Sequence, residues 1–188
     1  MSLTLEGRCW KLGDDVSSDE LISARHVYEY DPRQLRKHLL AELRPAFAAE
    51  AVAGDILLAG KRFAHGSQHT HPFLAMKEMG LGLVARTLAR PPFRLAIYTG
   101  VPVLEIGEAG AATLADGDRL RVDFATGQLD NLSAGTRLQL DPLPGFLLDI
   151  VRAGGGLPYL RDSVGAGGSG ECATPQPLHS AATAANTR

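Results

Sequence analysis

The hydrophobic pattern of this chain changes near its middle. In the first half the apolar runs are short and unbroken, as in residues 56–59 and 83–85, which is typical of strands covered on both faces. In the second half the period becomes two, with a glycine turn at residues 126–127 and apolar positions at Leu120, Val122 and Phe124. The pattern therefore predicts an α/β section followed by an antiparallel β section.

Other elements follow from local signals beside these runs. Further strands are expected over residues 3–12, 101–104, 129–132 and 137–140. Asp31 and Pro32 are typical of a helix start, with Gln34 completing a capping box. Leucines at helical spacing extend this helix toward Pro45, namely Leu35, Leu39, Leu40 and Leu43. Additional helices are expected over residues 72–80, 93–98 and 146–153.

These elements favour one compact domain over residues 1–162. The remaining residues, 163–188, are rich in glycine, alanine, serine and threonine, with little that could pack into a core. They are expected to form a disordered low-complexity tail.

Composition and charge exclude several classes of function. Of the 188 residues, 45% are hydrophobic and 21% charged, and a net charge of -2 gives no reason to expect nucleic acid or an anionic membrane as partner. Cys9 and Cys172 are too few for a disulfide framework or for an iron–sulfur cluster held by this chain alone. No apolar run approaches the roughly 18–20 residues that cross a bilayer, so we expect a cytoplasmic protein.

Candidate chemistry is concentrated in residues 60–73. Half of the six histidines, His65, His69 and His71, lie in this segment, directly after the predicted strand over residues 56–59. Histidine exchanges protons and binds metals near neutral pH, and loops at strand ends are common ligand sites. Substrate contact or proton transfer, metal binding, and a structural role at the following helix are all consistent with this spacing. We assign no metal ligand.

Short motifs in a fixed order resemble the small subunits of 3-isopropylmalate dehydratase, a family that corresponds to the swivelling domain of aconitase. The resemblance spans about residues 6–161, and an ordered set of independent matches is more specific than any single one. The matching segments are Gly7–Asp14, Ser18–Ile22 with Ala24-Arg25, Gly54–Ile56, Ala59–Phe63, Gly100–Leu104 and Pro142–Leu148.

This resemblance implies a β/β/α swivelling fold and a hydro-lyase subunit that dehydrates, hydrates or isomerises a hydroxy-dicarboxylic acid or a related hydroxy acid. It also implies a partner, a large subunit that carries a [4Fe-4S] cluster with one open iron. The cluster would act as a Lewis acid toward the leaving hydroxyl, and the small subunit would close the pocket. We expect a heterodimer or larger assembly that is active only when both subunits are present.

The family's loop signature is glycine-x-glycine-serine-serine-arginine-glutamate, and residues 64–70 read Ala-His-Gly-Ser-Gln-His-Thr here. The match implies that Ser67 is the base that removes the substrate proton. Gln68 replaces the second serine, and His69 replaces an arginine that pairs with a substrate carboxylate. The other substrate-binding residues implied are His65, Arg25, Arg94 and Asp19.

The altered loop changes the expected chemistry. Arginine is permanently charged and can hold a carboxylate by two parallel hydrogen bonds, whereas His69 is charged only when protonated. A changed substrate in a specialised pathway is therefore preferred over ordinary leucine biosynthesis. The alternative is a binding or regulatory module that kept the fold and lost the chemistry, with the histidines as ligand or metal contacts. At single positions, Ser67 and Asp19 could instead cap helices, and Arg25 could pair on the surface.

Overall fold

One mixed sheet organises residues 3–166, the part of the chain that the computed structural model describes. Its strands are Thr4–Lys11 (β1), Ile56–Ala59 (β2), Gly82–Ala85 (β3), Val103–Glu105 (β4), Arg119–Asp123 (β5), Gln128–Asn131 (β6) and Thr136–Gln139 (β7). They lie in the order β4-β3-β2-β1-β5-β6-β7. Neighbours among β1 to β4 are parallel, and β5 to β7 add antiparallel neighbours. The predicted α/β section followed by an antiparallel section is confirmed.

Strand β1 joins the two sections because both of its edges are paired. Cys9 lies opposite Ile56 of β2 in a parallel register, and Gly7 lies opposite Leu120 of β5 in an antiparallel one. Every residue of β2 and β3 is buried, as their unbroken apolar sequences predict. The carboxyl ends of the parallel strands therefore meet at one edge of the sheet, where ligand sites of α/β proteins commonly lie.

A buried carboxylate locks β1 to the turn that precedes β2. Asp55 is 2% exposed and accepts hydrogen bonds from the Arg8 N–H at 2.8 Å, the Trp10 indole N–H at 2.8 Å and the Val52 N–H at 3.1 Å. A Cβ at Gly7 would lie 2.5 Å from Asp55 Oδ1, so this close approach requires glycine. The carboxylate thereby fixes the register of the two central strands.

The helices are Ser18–Leu21 (α1), Pro32–Leu35 (α2), Phe47–Glu50 (α3), His71–Glu78 (α4), Arg90–Thr99 (α5), Gly107–Ala112 (α6), Gly145–Arg152 (α7) and Gly156–Ala166 (α8), with a 3-10 turn at Ala24–His26. The helices expected after Pro72 and before the glycines at 154–156 are confirmed as α4 and α7. The helix expected over 93–98 is α5, which begins earlier because the two prolines at 91–92 fit its first turn.

The long helix expected from Pro32 toward Pro45 is wrong. Asp31 does cap the start, but α2 ends after one turn. Leu40 has a φ of 59°, which no helix accommodates, and its N–H bonds to the Leu21 carbonyl at 2.8 Å. Leu35, Leu39 and Leu40 are buried in this folded-back segment rather than on a helix face, and Leu43 is 40% exposed. The capping-box role expected of Gln34 is also wrong, because the Glu29 carboxylate accepts from the Asp31 N–H.

Helix α8 continues past the boundary expected at residue 163, since it extends to Ala166. The rest of the segment predicted to be a disordered tail, residues 167–188, lies outside the described residues. Between residues 3 and 166, no helix has the length and apolar character needed to span a bilayer.

Candidate active site

The histidine loop, residues 60–70, begins at the carboxyl end of β2 and is held by residues 14–18, which follow β1. The backbone bonds, of 2.8–2.9 Å, run from Asp15 N–H to Lys61 O, Ala64 N–H to Val16 O and Ser18 N–H to His65 O. The Asp14 carboxylate also accepts from the Lys61 N–H at 2.9 Å. Two neighbouring strands therefore set the position of the loop.

Left-handed backbone angles are concentrated in these two segments. Asp15, Arg62 and Ala64 have φ values of 62°, 54° and 55°. Residues other than glycine rarely adopt positive φ angles, and backbone strain of this kind is found most often at functional sites. Gly66, at a φ of 89°, is the residue type that adopts such a backbone angle without strain. The surrounding hydrogen bonds hold the loop in a shape that its sequence alone would not favour.

Ser67 lies exposed on this loop. Its backbone carbonyl accepts a hydrogen bond from the hydroxyl of the buried Ser18, whereas its own hydroxyl has no partner within residues 3–166. Ser67 does not cap a helix, because the N-cap of α4 is Thr70. Asp19 is not a cap either, since Ser17 occupies that position in α1 and forms a capping box with Glu20. Neither Ser67 nor Asp19 thus has the helix-capping role that was the structural alternative for it.

Ser18→Ala tests whether this hydrogen bond positions Ser67. We expect kcat to fall by about ten- to hundredfold, because small displacements of a reacting group are costly. The free energy of unfolding should change by no more than about 1 kcal/mol, since water can reach the freed Ser67 carbonyl. Steady-state kinetics of the assembled enzyme and urea unfolding check both values. As a control, Ser17→Ala should cost about 1 kcal/mol through its helix cap and leave kcat unchanged. Equal kcat in the two variants would contradict the positioning role.

The rings of His69 and His71 meet beside Asp19. Their Nδ1 atoms are 3.1 Å apart, and their ring centroids are 4.9 Å apart at an interplanar angle of 66°. His71 is 2% exposed, and the Tyr30 ring lies 5.0 Å from it. Asp19 Oδ1 lies 3.9 Å from His69 Nε2. Burial and then His71 lower the pKa of His69, while the Asp19 carboxylate opposes both effects.

His65 and Gln68 brace the loop from opposite sides of Ser67. The His65 Nε2 atom lies 3.0 Å from the Asp15 carbonyl, and the Gln68 amide donates to the carbonyls of Ala64 and Gly66 at 3.1 and 3.2 Å. Both residues are otherwise exposed. The structure therefore brings four of the expected site residues together with Ser67: His65, Gln68, His69 and Asp19.

The two expected arginines lie outside this group. Arg25 is exposed and forms an ion pair with Glu42 at 3.1 Å, with a further bond from its Nε to the Ser23 hydroxyl. Arg94 lies on α5, in a groove that it shares with α7 and the start of α8. Neither arginine has a hydrogen bond or ion pair to the histidine loop within the described residues, and their roles in substrate binding stay predictions.

A charged cleft of about 450 Å3 at the carboxyl ends of β1, β2 and β3 was not expected. Arg86 follows β3, with its side chain largely buried between Asp14, at 2.9 Å, and Glu108, to which it is also bonded. Lys61 of the histidine loop pairs with the same Glu108 at 3.0 Å. The charged residues of this cleft each follow a predicted strand. Because the carboxyl ends of parallel strands meet at one edge of a sheet, this placement could have indicated the cleft from the sequence.

Glu108→Gln tests the charge of this cleft. Arg86 and then Lys61 lower the pKa of Glu108 from its ordinary 4.5 to about 2. A carboxyl with a lowered folded-state pKa stabilises the fold above pH 4.5, and that contribution is lost as the pH falls toward 2. Wild type should therefore exceed Glu108→Gln slightly in urea midpoint at pH 7, and the difference should vanish in acid. A difference independent of pH would contradict the pairing.

The described residues do not fit a resident metal cluster. Cys9 is the free cysteine of residues 3–166; it is buried in β1, and burial is the main cause that raises the pKa of its thiol to about 12. A thiol in that state is a poor metal ligand. No set of three or more histidine, cysteine, aspartate or glutamate side chains in this range is arranged to hold a metal ion. We therefore derive no chemical step on a cluster held by this chain.

The mixed sheet, with a strained loop after its second parallel strand, matches the fold of a solved aconitase-type small subunit. The structure superposes on the crystal structure of 3-isopropylmalate dehydratase from Methanocaldococcus jannaschii with a TM-score of 0.81 and 26% identity, covering 87% of this chain and 97% of that one. The expected swivelling fold is confirmed.

Sequence comparison gives the family. The 3-isopropylmalate dehydratase small subunit of Methanosarcina acetivorans is 40% identical over 161 residues, which cover 85% of this chain and 98% of that protein. That of Aquifex aeolicus is 39% identical over 166 residues, covering 87% and 98%. No protein-family model matches the chain. The chain belongs to the family of 3-isopropylmalate dehydratase small subunits, and the family name is that of one subunit of a hydro-lyase.

Proposed function

We propose that Ser67 is the base of a hydro-lyase active site that this chain completes together with a large subunit. The observation that carries the proposal is the free, exposed hydroxyl of Ser67 on a strained loop at a strand end, at the position that the family signature gives to its base. Hydrogen bonds to residues 14–18 hold the loop, so it can present this hydroxyl to a substrate bound by another protein.

A serine acts as a base only as its alkoxide, so its hydroxyl must first lose its own proton to solvent, and N–H donors or a nearby cation must stabilise the resulting charge. Helix α4 begins four residues after Ser67, and the first N–H groups of a helix have no partner within it. His69 and His71 lie in the same stretch and can carry positive charge. Ser67 would take the proton from the carbon next to the hydroxyl-bearing carbon of the substrate, and these groups would stabilise the charge that develops.

The large subunit would supply the remaining half of the site. The [4Fe-4S] cluster implied by the family would be carried there, and when bound it would supply Lewis-acid chemistry toward the substrate hydroxyl. This assignment agrees with the lack of suitable ligands in the described part of this chain. This chain would contribute the base, a contact to a substrate carboxylate, and closure of the pocket against water.

The substrate proposed is a hydroxy-dicarboxylic acid. An imidazole at the position of the family's arginine keeps the ability to bind a carboxylate when protonated, but with a single hydrogen bond from each ring edge. 3-Isopropylmalate, for which the relatives are named, is the first compound to test. A specialised pathway with a related hydroxy-diacid remains our preferred proposal, because the altered loop predicts weaker binding of the ordinary substrate.

Copurification with a large subunit followed by a screen of hydroxy-diacids tests this function. Turnover of any of them, dependent on both chains, supports the proposal. Rescue of a leucine auxotroph that lacks its own small subunit would place the chain in ordinary leucine biosynthesis. Stable association with the large subunit but no turnover of any compound would instead support the binding or regulatory module.

A further inference from the structure

His69, in the histidine loop, and His71, at the start of α4, face each other through their Nδ1 atoms. The Nδ1 atoms of His69 and His71 are at hydrogen-bond distance, 3.1 Å, and two bare nitrogens or two N–H groups would repel each other there. One Nδ1 must therefore donate and the other accept. The two rings are forced into different tautomers, one with its proton on Nδ1 and the other with its proton on Nε2.

The far edges of both rings make no hydrogen bond within residues 3–166, although the Asp19 carboxylate lies 3.9 Å from His69 Nε2. His69 Nε2 and His71 Nε2 are buried and have no hydrogen bond within residues 3–166. His71 is only 2% exposed, so leaving its Nε2 atom without a hydrogen bond costs folding free energy. In the neutral pair one of these Nε2 atoms is a donor and the other a bare acceptor. Addition of one proton makes both Nε2 atoms donors while the bond between the Nδ1 atoms is kept.

We infer that His69 and His71 form a single proton-holding unit, the imidazole pair, which becomes cationic when an anionic carboxylate lies against it. His71 is the positioning residue that fixes the tautomer of His69. A second proton is excluded, because it would place two N–H groups face to face at 3.1 Å. The pair therefore switches between charges of 0 and +1, unlike an arginine, which is always charged.

The charged and titratable groups around the pair determine when it is neutral. Asp19 of α1 faces His69 Nε2 at 3.9 Å, Tyr30 from the segment before α2 faces His71, and each ring faces the other. Asp19 favours the proton on His69, but burial and the second ring disfavour it and lower the pKa of His69. A ligand carboxylate supplies additional negative charge, which favours protonation of the imidazole pair. Only this last step, the identity of the anion, rests on the proposed function.

Nitrogen-15 NMR of the histidines in the full chain tests the pair without any activity. At pH 8 we expect one of the two rings as the Nδ1–H tautomer and the other as the Nε2–H tautomer, and a single shared midpoint as the pH is lowered to 5. His26 and His38 are the matched control for the tautomers, since their rings stack at 3.7 Å with no bond between nitrogens and need not adopt opposite tautomers. Two Nε2–H tautomers, or two independent midpoints, for His69 and His71 would overturn the inference.

Kinetics of the assembled enzyme with 3-isopropylmalate, or with whichever diacid it turns over, tests the link to binding. KM of the wild type should rise about tenfold per pH unit above the midpoint of the pair, because binding takes up a proton. His69→Arg should flatten KM between pH 6 and 8. His71→Asn keeps an amide atom at the Nδ1 position and should shift the rise of KM to higher pH, because it removes the second imidazole, which lowers the pKa of His69. Identical pH profiles of KM in all three proteins would overturn the role in binding, even if NMR confirms the pair.

Discussion

Replacement of Ser67 by alanine is expected to lower kcat by about a thousandfold, within the range measured when a general base is removed. The hydroxyl is the only part of the side chain that this variant deletes, and it is exposed and makes no hydrogen bond to any residue between 3 and 166. The fold should therefore be unaffected, and the loop should keep its shape because Ser18 bonds to the Ser67 backbone rather than to its side chain. KM should change far less than kcat, since the loss falls on the proton transfer step.

Steady-state kinetics with the large subunit present gives this result directly. Ser163→Ala in α8 is the matched control, because it deletes a serine hydroxyl bonded only to the Tyr159 carbonyl, away from the loop. It should retain full turnover. If Ser67→Ala retains more than about a tenth of the wild-type kcat, Ser67 is not the base.

The second large effect is expected on stability. Asp55→Ala should lower the free energy of unfolding by about 3 to 5 kcal/mol, because it leaves three N–H donors without an acceptor, two on β1 and one in the turn before β2. For a chain of this size the melting temperature should fall by roughly 10 °C. Asp55→Asn should be destabilised as well, since an amide cannot accept from all three donors without presenting its own N–H groups to one of them.

Urea unfolding and thermal melting of the full chain measure this loss. Asp149→Ala on α7 is the matched control: that aspartate is exposed and pairs only with Arg152 at 3.2 Å, so its loss should cost less than about 0.5 kcal/mol. A loss at Asp55 as small as that at Asp149 would show that the buried carboxylate does not hold β1 against β2.

Much of the fold could be predicted because its signals are local. Strands β2 and β3 are covered on both faces and have unbroken apolar runs, whereas β5 alternates apolar and polar residues. Both patterns can be recognised from residues that are adjacent in the sequence. Helix α4 has a proline at its start and a glycine after its end, so its limits were also predictable.

The fold departs from the prediction where a distant partner decides the structure. Nothing near Leu40 indicates a left-handed residue; its conformation is set by the bond to the Leu21 carbonyl. Local propensity in residues 36–43 still favours a helix, and the tertiary hydrogen bond prevails. Similarly, helix α8 carries past residue 163 despite a sequence that predicts a tail from that point.

The candidate site was predictable in part. The loop and its serine follow from the order of the motifs, and the structure brings His65, Gln68, His69 and Asp19 to it. The contact between His69 and His71 depends on the turn that starts α4, and the cleft around Arg86 depends on strands that are distant in sequence. The spacing of residues along the sequence predicts neither the contact between the two histidines nor the cleft. The positions of Arg25 and Arg94 away from the loop likewise depend on the packing of their helices.

The central claim is that this chain supplies half of a catalytic site. Its most direct test is the dehydration rate of a hydroxy-diacid measured with the purified chain alone, with the large subunit alone, and with both together. We predict turnover in the mixture only, saturating as the small chain is added and abolished when Ser67→Ala replaces it. Turnover by this chain alone, or a rate for the large subunit that the chain does not change, would contradict the account.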